Sequence, residues 1–184
     1  MNEQNRGAAD DAVRESLEIR QTIVDTQALL TDAETGQRGF LLTNDVAFLL
    51  PYERARRSIP AQLHHLREIV RADSQQLEGA EELRHLALEK LDELASTITL
   101  ASGGHTSEAL DIVREGHGRL VMRAIRAETE RMLASEQANF ARRKANADSK
   151  RRQLRYVLYG TSTLFLAITA AALWSASRGV AEAI

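Results

Sequence analysis

Residues 19–40 read IRQTIVDTQALLTDAETGQRGF, and this stretch decides the fold because a set of mostly apolar residues recurs in it at alternating spacings of four and three. Such a spacing puts side chains on one face of a helix that packs nearly parallel to its neighbours. The face consists of Ile19, Ile23, Thr26, Leu30, Ala33, Gln37 and Phe40. It predicts a long first helix that further helices must cover.

A second helix is predicted directly after this stretch. Asn44 and Asp45 are residue types whose side chains accept hydrogen bonds from the free amides of a first helical turn, so the helix is expected to begin near them. It then continues to Val70. Pro51 and Pro60 are expected to kink or interrupt it, because proline removes a backbone donor and clashes with the preceding turn.

Two further helices complete the pattern. The third runs from about Gln75 to Ala101 and is ended by the pair Gly103 and Gly104. Its apolar stripe consists of Ala80, Leu83, Ala87, Leu91, Leu94, Ile98 and Ala101. The fourth helix opens near Thr106 and is expected to continue to Ser177, because no proline or adjacent glycine pair interrupts it; a break at Asn146–Ser149 is the alternative.

The composition favours an all-α fold. Of the 184 residues, 43% are apolar, 4% are aromatic and only two are proline, whereas a β-rich fold uses more β-branched and aromatic residues. Four amphipathic helices with short connections predict an antiparallel four-helix bundle with long first and fourth helices, the fourth continuing into a C-terminal transmembrane helix. Because the sequence has no cysteine, it has neither disulfides nor thiolate chemistry.

The charge is distributed unevenly along the chain. Residues 1–141 carry 16 basic and 24 acidic groups, a net charge of −8, whereas residues 142–155 carry seven basic groups and one acidic group. An acidic body repels nucleic-acid phosphates. The basic block directly precedes an uncharged run, so the expected partner is the headgroup layer of a lipid bilayer and not nucleic acid.

A membrane span is predicted at Tyr156–Ser177, a run of 22 residues without a charge. As a helix it would reach about 33 Å, enough to cross a bilayer core. Tyr159 and Trp174 lie towards its two ends, where aromatic rings favour the headgroup level. A buried core helix is the alternative. The predicted organisation is therefore a bundle at 1–141, a basic juxtamembrane segment at 142–155, a transmembrane helix at 156–177 and a short tail at 178–184.

Reactive side chains are too sparse to indicate an enzyme. A dimetal carboxylate bundle needs two Glu-x-x-His pairs, and Glu82 with His85 is the single such pair in the sequence. His64 and His65 are adjacent, so on a helix they point about 100° apart and do not chelate one ion together. No strand-turn-helix elbow or glycine-rich phosphate loop can be recognised. We expect no catalytic residues, no metal site and no cofactor.

The segment around Gly36 and Gly39 is unusual because two glycines weaken a helix by about 1 kcal/mol each relative to alanine. Small residues allow close helix contact, and Arg38 stands four residues after Glu34, where the two can form an ion pair. One interpretation is a packing notch beside a solvated ion pair. The other is a site for ligand contact or conformational control formed by Glu34, Gln37 and Arg38.

The same segment carries a resemblance to a known family. DAETGQRGFLLTND, then PYERA, TITLASGG and EALDIVREGHGRLVMRAIRAETERM occur in the order found in the type-three CHASE domain (cyclase/histidine-kinase-associated sensory extracellular). The resemblance covers about residues 10–140. It implies a four-helix bundle between two transmembrane helices that serves as the input module of histidine kinases, chemoreceptors or cyclases. It also implies a homodimer, and it names no stimulus.

Two departures from the family pattern shape the functional expectation. The span that normally precedes the first helix is missing before Asn2, and no output module follows Ile184, so we expect an input half without its signalling module. The hypothesis is a membrane-anchored sensory input domain that passes a stimulus through helix movement. The alternative is a membrane-anchored interaction or dimerisation protein without a ligand.

We expect the bundle to lie outside the cytoplasm, and a cytoplasmic, tail-anchored arrangement is the alternative. The resemblance places the bundle outside the cytoplasm. Seven basic residues lie just before the span, and by the positive-inside tendency they favour a cytoplasmic location for the N-terminal side of the span. The bundle would then lie in the cytoplasm, as in a tail-anchored protein.

Overall fold

The chain is helical throughout the part that the structure, a computed structural model, describes. The description covers the backbone of residues 2–181 and the side chains of 11–146, 149, 152–153, 155–163, 166 and 168–169, and no strand occurs among these residues. The helices are α1 (Asn2–Thr43), a 3-10 helix (Val46–Leu49), α2 (Leu50–Val70), α3 (Ser74–Ser102), α4 (Thr106–Glu115) and α5 (His117–Ala181). The prediction of an all-α fold is confirmed.

Two compact units divide the chain, residues 1–138 and residues 139–184. The first unit contains a single main core shared by α1, α2, α3 and the beginning of α5. A smaller cluster of Phe40, Leu41, Ala101 and Ala109 joins α4 to the ends of α1 and α3. The first unit is a helical bundle.

Side-chain contacts show how the helices of the first unit run. Near its beginning α1 meets the end of α2, where His65 Nε2 lies 2.7 Å from Glu18 Oε1, while further on Gly36 lies against Pro51 at the beginning of α2. α1 and α2 are therefore antiparallel. Arg67 Nε donates to Glu81 Oε1 at 2.6 Å, so the end of α2 meets the beginning of α3.

The beginning of α5 returns along α3 in the opposite direction. Gln76 Nε2, near the start of α3, donates to the carbonyl oxygen of Met132 at 3.2 Å. Near the other end of this contact, His117 Nε2 lies 2.9 Å from Glu89 Oε1. Neighbouring helices in the bundle thus alternate in direction, as the short connections predicted.

The stripes that the sequence spacing identifies on α1 and α3 form part of the core. Every residue of the first-helix face is buried, including the polar Thr26 and Gln37, and every residue of the third-helix stripe is buried except the half-buried Ile98. A fully buried leucine such as Leu30, Leu63 or Leu83 contributes about 1.5–3 kcal/mol to folding.

The region between α1 and α2 differs from its prediction. Asn44 does not start α2: it adopts a left-handed conformation with φ 55° and its amide donates to the Phe40 carbonyl at 2.8 Å, which ends α1. Asp45 caps the 3-10 helix by accepting from the amide of Ala47 at 2.9 Å. Pro51 lies in the first turn of α2, where its missing donor costs nothing, so it does not interrupt the helix; Pro60 lies inside the helix.

The predicted fourth helix starting at Thr106 is two helices. Gly116 has φ 82°, a left-handed conformation that interrupts a right-handed helix, and so α4 ends at Glu115 and α5 begins at His117. From there the backbone is helical to Ala181, including Asn146–Ser149, where a break was the alternative.

Among the described residues no helix has a stretch long and apolar enough to cross a membrane. The predicted span Tyr156–Ser177 lies partly outside the described residues, because the side chains of 164, 165, 167 and 170–177, including Trp174, are not described. The tail 178–184 also lies outside the described side chains. The transmembrane helix therefore stays a prediction.

Candidate functional site

The two glycines of the unusual segment form a packing notch in α1. A Cβ atom on Gly39 would lie 2.5 Å from Cδ1 of Phe48, and one on Gly36 would overlap the carbonyl oxygen of Phe48. Real side chains do not approach so closely, so only glycine lets the 3-10 helix lie against α1 here. The packing interpretation of Gly36 and Gly39 is supported by these contacts.

A buried lysine lies on the other side of the same segment of α1. The Lys90 side chain is 1% exposed, and its Nζ donates to Glu34 Oε1 at 3.0 Å and to Glu93 Oε2 at 2.6 Å. A buried ammonium group is stable only when carboxylates compensate it. Glu34 and Glu93 fill that role, and the contact with Glu34 connects α3 to α1.

Sequence reasoning missed Lys90, although a signal was present. It follows Ala87 by three residues and precedes Leu94 by four, which places it on the buried face of α3. It is also the one lysine among residues 1–141, where the other basic residues are arginines. An ammonium at a core position implies carboxylates on the helix that faces it.

The three predicted site residues differ in their surroundings. Gln37 is buried, and its Nε2 donates to Thr97 Oγ1 of α3 at 2.8 Å. Arg38 is 56% exposed and donates from Nη2 to Glu34 Oε1 at 3.2 Å, forming the ion pair that the sequence spacing predicted. Glu34 therefore accepts from both Arg38 and Lys90.

A cavity of about 390 Å³ brings these residues together with others that the sequence did not indicate. Its lining combines α1, α3, α4 and the beginning of α5, and consists of Glu34, Gln37, Arg38, Glu93, Val113, Arg114, Gly118 and Arg119. The volume is within the range of small-molecule sites in proteins. Because the lining comes from four helices, a single ligand in the cavity would contact all four of them.

No group of three side chains able to hold a metal ion occurs in the part of the chain that the structure describes. Both Glu82 and His85, the pair considered in the sequence, are exposed on α3. The cavity lining offers guanidinium, carboxylate and amide groups, which bind small polar or charged molecules through hydrogen bonds.

A second groove of about 390 Å³ lies between α2 and α3. Its wall contains Glu81, which accepts from Arg67 at 2.6 Å and from Arg84 at 2.9 Å. Hydrogen bonds from Arg84 and Arg67 lower the pKa of Glu81, and the bond to Glu81 raises the pKa of Arg67. All three side chains are substantially exposed, so this groove is best explained as a surface ion-pair network that joins two helices.

Comparisons with known proteins agree on the type of domain. The sequence pattern of the CHASE3 domain matches residues 9–146. The chain is also similar to the crystal structure of the sensor domain of the histidine kinase HK9 from Rhodopseudomonas palustris, with 28% sequence identity and a TM-score of 0.62. This similarity covers 67% of this chain and 97% of that chain. No curated protein sequence is significantly similar to the chain.

Proposed function

The chain belongs to the CHASE3 domain family and is a sensory input domain, and from this premise we propose that it is the membrane-anchored input module of a bacterial-type histidine kinase or chemoreceptor. In this proposal the module has no catalytic activity and acts through a signalling module downstream. The observation that carries it is the cavity that joins four helices of a bundle and contains Glu34, Gln37 and Arg38.

The cavity supports a stimulus site because its walls belong to helices that are far apart in sequence. Glu34 comes from α1, Glu93 from α3 and Arg119 from α5. Packed helices have a small number of discrete arrangements. A ligand that binds one arrangement more tightly than another shifts the population towards it, so occupation of the cavity would move α1 relative to α5.

Membrane anchoring is supported by the sequence of the second unit and by the exposure of its side chains. Tyr156, Val157, Leu158 and Tyr159 are each more than half exposed, which is unfavourable in water for a row of apolar residues. A bilayer would cover them, and the basic residues of 142–155 would lie at its headgroups. We propose that 156–177 crosses the membrane and that the bundle lies outside the cytoplasm.

A reporter fusion tests this topology. A reporter enzyme that is active only outside the cytoplasm would be joined upstream of Asn2. Activity supports the extracytoplasmic bundle, whereas activity of a cytoplasm-specific reporter at the same position supports the tail-anchored alternative.

Transmission through α5 is tested by a phase series that needs no ligand. Residues 1–184 would be joined to the core of a histidine kinase, and one to seven alanines would be inserted after Asn146. Because a helix turns once in about 3.6 residues, kinase activity in membranes should rise and fall with this period and return towards its starting value near seven. Two glycines placed after Asn146 in each member of the series should abolish this periodic change in kinase activity, because glycine weakens the helix. Activity that stays constant through the series would contradict transmission by helix rotation.

A homodimer is the second part of the proposal, and it is favoured by an exposed apolar stripe on α1. Val13, Leu17 and Val24 follow a spacing of four and seven and are 41%, 61% and 46% exposed. This is the pattern of a helix seam that faces another helix. Analytical ultracentrifugation in detergent should show a dimer that Leu17→Glu weakens, while Glu15→Lys, at an exposed position on another face of α1, leaves it unchanged.

The alternative function, an interaction module without a ligand, draws on another exposed apolar group. Leu42, Val46 and Leu50 are 80%, 72% and 60% exposed around the 3-10 helix. If this alternative holds, substitutions to serine at these positions should abolish signalling in the kinase chimera, and substitutions in the cavity should leave signalling unchanged.

A further inference from the structure

The cavity lining is basic although the body of the protein is acidic. Residues 1–141 carry a net charge of −8, yet three guanidinium groups, of Arg38, Arg114 and Arg119, line the cavity against the two carboxylates of Glu34 and Glu93. Lys90 adds a further positive charge where it contacts both carboxylates. The lining is therefore opposite in charge to residues 1–141 as a whole.

The carboxylates in the lining already have cationic partners. Lys90 binds Glu34 and Glu93, and Arg38 also binds Glu34. A cationic ligand would have to compete with the buried Lys90 for the same oxygens. The cavity is therefore poorly suited to a cation.

The arginines differ in what they contact. Arg114 Nη1 donates to Asp111 Oδ1 at 2.8 Å within α4. Arg119 forms no hydrogen bond or ion pair within the described part of the chain. A guanidinium group presents donors in a planar fork that matches a carboxylate with two parallel hydrogen bonds. Arg119 has this fork available at the wall of the cavity.

Glycines create the space in which Arg119 lies. A Cβ atom on Gly116 would lie 2.6 Å from Nη2 of Arg119, and one on Gly118 would overlap the carboxylate of Glu93. Any larger residue at Gly116 would displace the guanidinium group, and any larger residue at Gly118 would displace Glu93 from Lys90. The turn between α4 and α5 thus sets the position of both groups.

We infer that the cavity binds a small organic carboxylate, whose carboxylate group pairs with Arg119 and is supported by Arg38. This inference rests on the proposed sensory function, because it names the ligand class of the same site. A singly charged carboxylate fits better than a phosphate dianion, since Glu34 and Glu93 repel the second negative charge. The volume of about 390 Å³ accommodates a ligand of metabolite size.

The test uses acetate as the smallest probe of this class. The Nε–Hε signals of ¹⁵N-labelled arginines would be recorded for the full chain in detergent micelles during titration with sodium acetate up to about 100 mM, at ionic strength held constant with sodium chloride. The Arg119 signal should shift along a saturable curve with a midpoint in the millimolar range. Sodium phosphate at the same ionic strength should give a shift at least several-fold smaller.

Two variants make the result specific. Arg119→Gln should abolish the saturable shift of the remaining cavity arginines, and Arg126→Gln, at an exposed position further along α5, should leave it unchanged. Because Arg119 is itself exposed, its replacement should leave the fold intact. A linear response, an equal response to phosphate or an unchanged response in Arg119→Gln would overturn the inference.

Failure of the inference is distinguishable from failure of the proposed function. The phase series in the kinase chimera contains no ligand, and the acetate titration contains no kinase. A periodic phase series with no acetate binding would reject the ligand class and keep the sensory mechanism. Acetate binding together with a kinase activity that stays constant through the phase series would keep the ligand class and reject the sensory mechanism.

Discussion

At the scale of single residues, an unusual feature of this domain is a lysine in the core. Lys90 stands in a stripe of apolar residues on α3, and its ammonium group is compensated by Glu34 and Glu93. Buried ion pairs contribute little net stability compared with apolar packing, but removing one member is costly because it leaves uncompensated charge. The cluster therefore makes the contact between α1 and α3 sensitive to charge near the cavity.

Lys90→Met should destabilise the domain by about 3 kcal/mol, because two partly buried carboxylates lose their shared cation. Urea unfolding at neutral pH followed by circular dichroism measures the change. The variant that combines Lys90→Met with Glu34→Gln and Glu93→Gln should recover most of the loss. If the single variant is as stable as the parent chain, the ion cluster does not hold the helices together.

The glycine notch makes a second prediction at this scale. Gly39→Ala and Gly36→Ala should each destabilise the domain by about 1–3 kcal/mol, since the added methyl group meets Phe48 and this cost exceeds the better helix propensity of alanine.

The substitution Phe48→Ala distinguishes the contact made at Gly39 from the contact made at Gly36. It should rescue Gly39→Ala, where the clash is with the ring, and fail to rescue Gly36→Ala, where the clash is with the backbone carbonyl. The double variants would be compared by the same unfolding measurement. Equal behaviour of the two double variants would contradict the notch geometry.

At the scale of helices, the apolar spacing predicted more than the ends did. All seven residues predicted on the α1 face are buried, and so are six of the seven predicted on α3, because a heptad spacing keeps side chains on one side of a helix; Lys90, Leu86 and Thr97 on the same side of α3 were missed. The ends depend on single backbone conformations. Asn44 and Gly116 both have left-handed backbone conformations, and the sequence analysis identified neither as the point where a helix stops. The predicted start of α2 and the predicted single helix from Thr106 were therefore wrong.

The candidate site was predicted only in part for the same reason. Glu34, Gln37 and Arg38 were identified from one unusual segment of α1, and they do line one cavity. Glu93 and Arg119 come from helices distant in sequence, and their approach depends on the turn at Gly116. Periodicity within one helix carries no information about which residues of another helix lie opposite it. Their role as a ligand site stays a proposal.

The contact between α2 and α3 makes a prediction about pH. The hydrogen bonds from Arg84 and Arg67 lower the pKa of Glu81 below its usual 4.5 in the folded protein. Its contribution to stability is therefore fully present above the unfolded pKa and is lost as the pH falls through the folded pKa. Glu81→Gln should be less stable than the parent chain at pH 7, and the difference should vanish in acid below the folded pKa.

Thermal unfolding between pH 7 and pH 3 measures this difference, with Glu130→Gln as the control because Glu130 is an exposed carboxylate on α5. The control variant should follow the parent chain across the whole range. A difference between Glu81→Gln and the parent chain that grows as the pH falls would have the wrong sign for a lowered pKa.

At the scale of the whole molecule, family membership and the cavity together lead to one physical claim. The chain is a sensory input domain of the CHASE3 family, and its first unit is a helical bundle with a polar cavity among four helices. The claim is that a ligand in this cavity changes the arrangement of α1 and α5. Because helix shifts at packed interfaces are small, about 1–2 Å, the test must measure distances directly.

The chain has no cysteine, so two can be introduced for spin labels without a background. Asp32→Cys on α1 and Ala127→Cys on α5 are both exposed positions within the first unit, and Asp32 lies off the apolar stripe proposed as the dimer seam. Pulsed electron paramagnetic resonance would record the distance between the labels with and without acetate at the concentration that saturates Arg119. The account predicts a shift of the distance distribution by about 1–2 Å that disappears in Arg119→Gln. A distribution that is identical with and without bound acetate would contradict it.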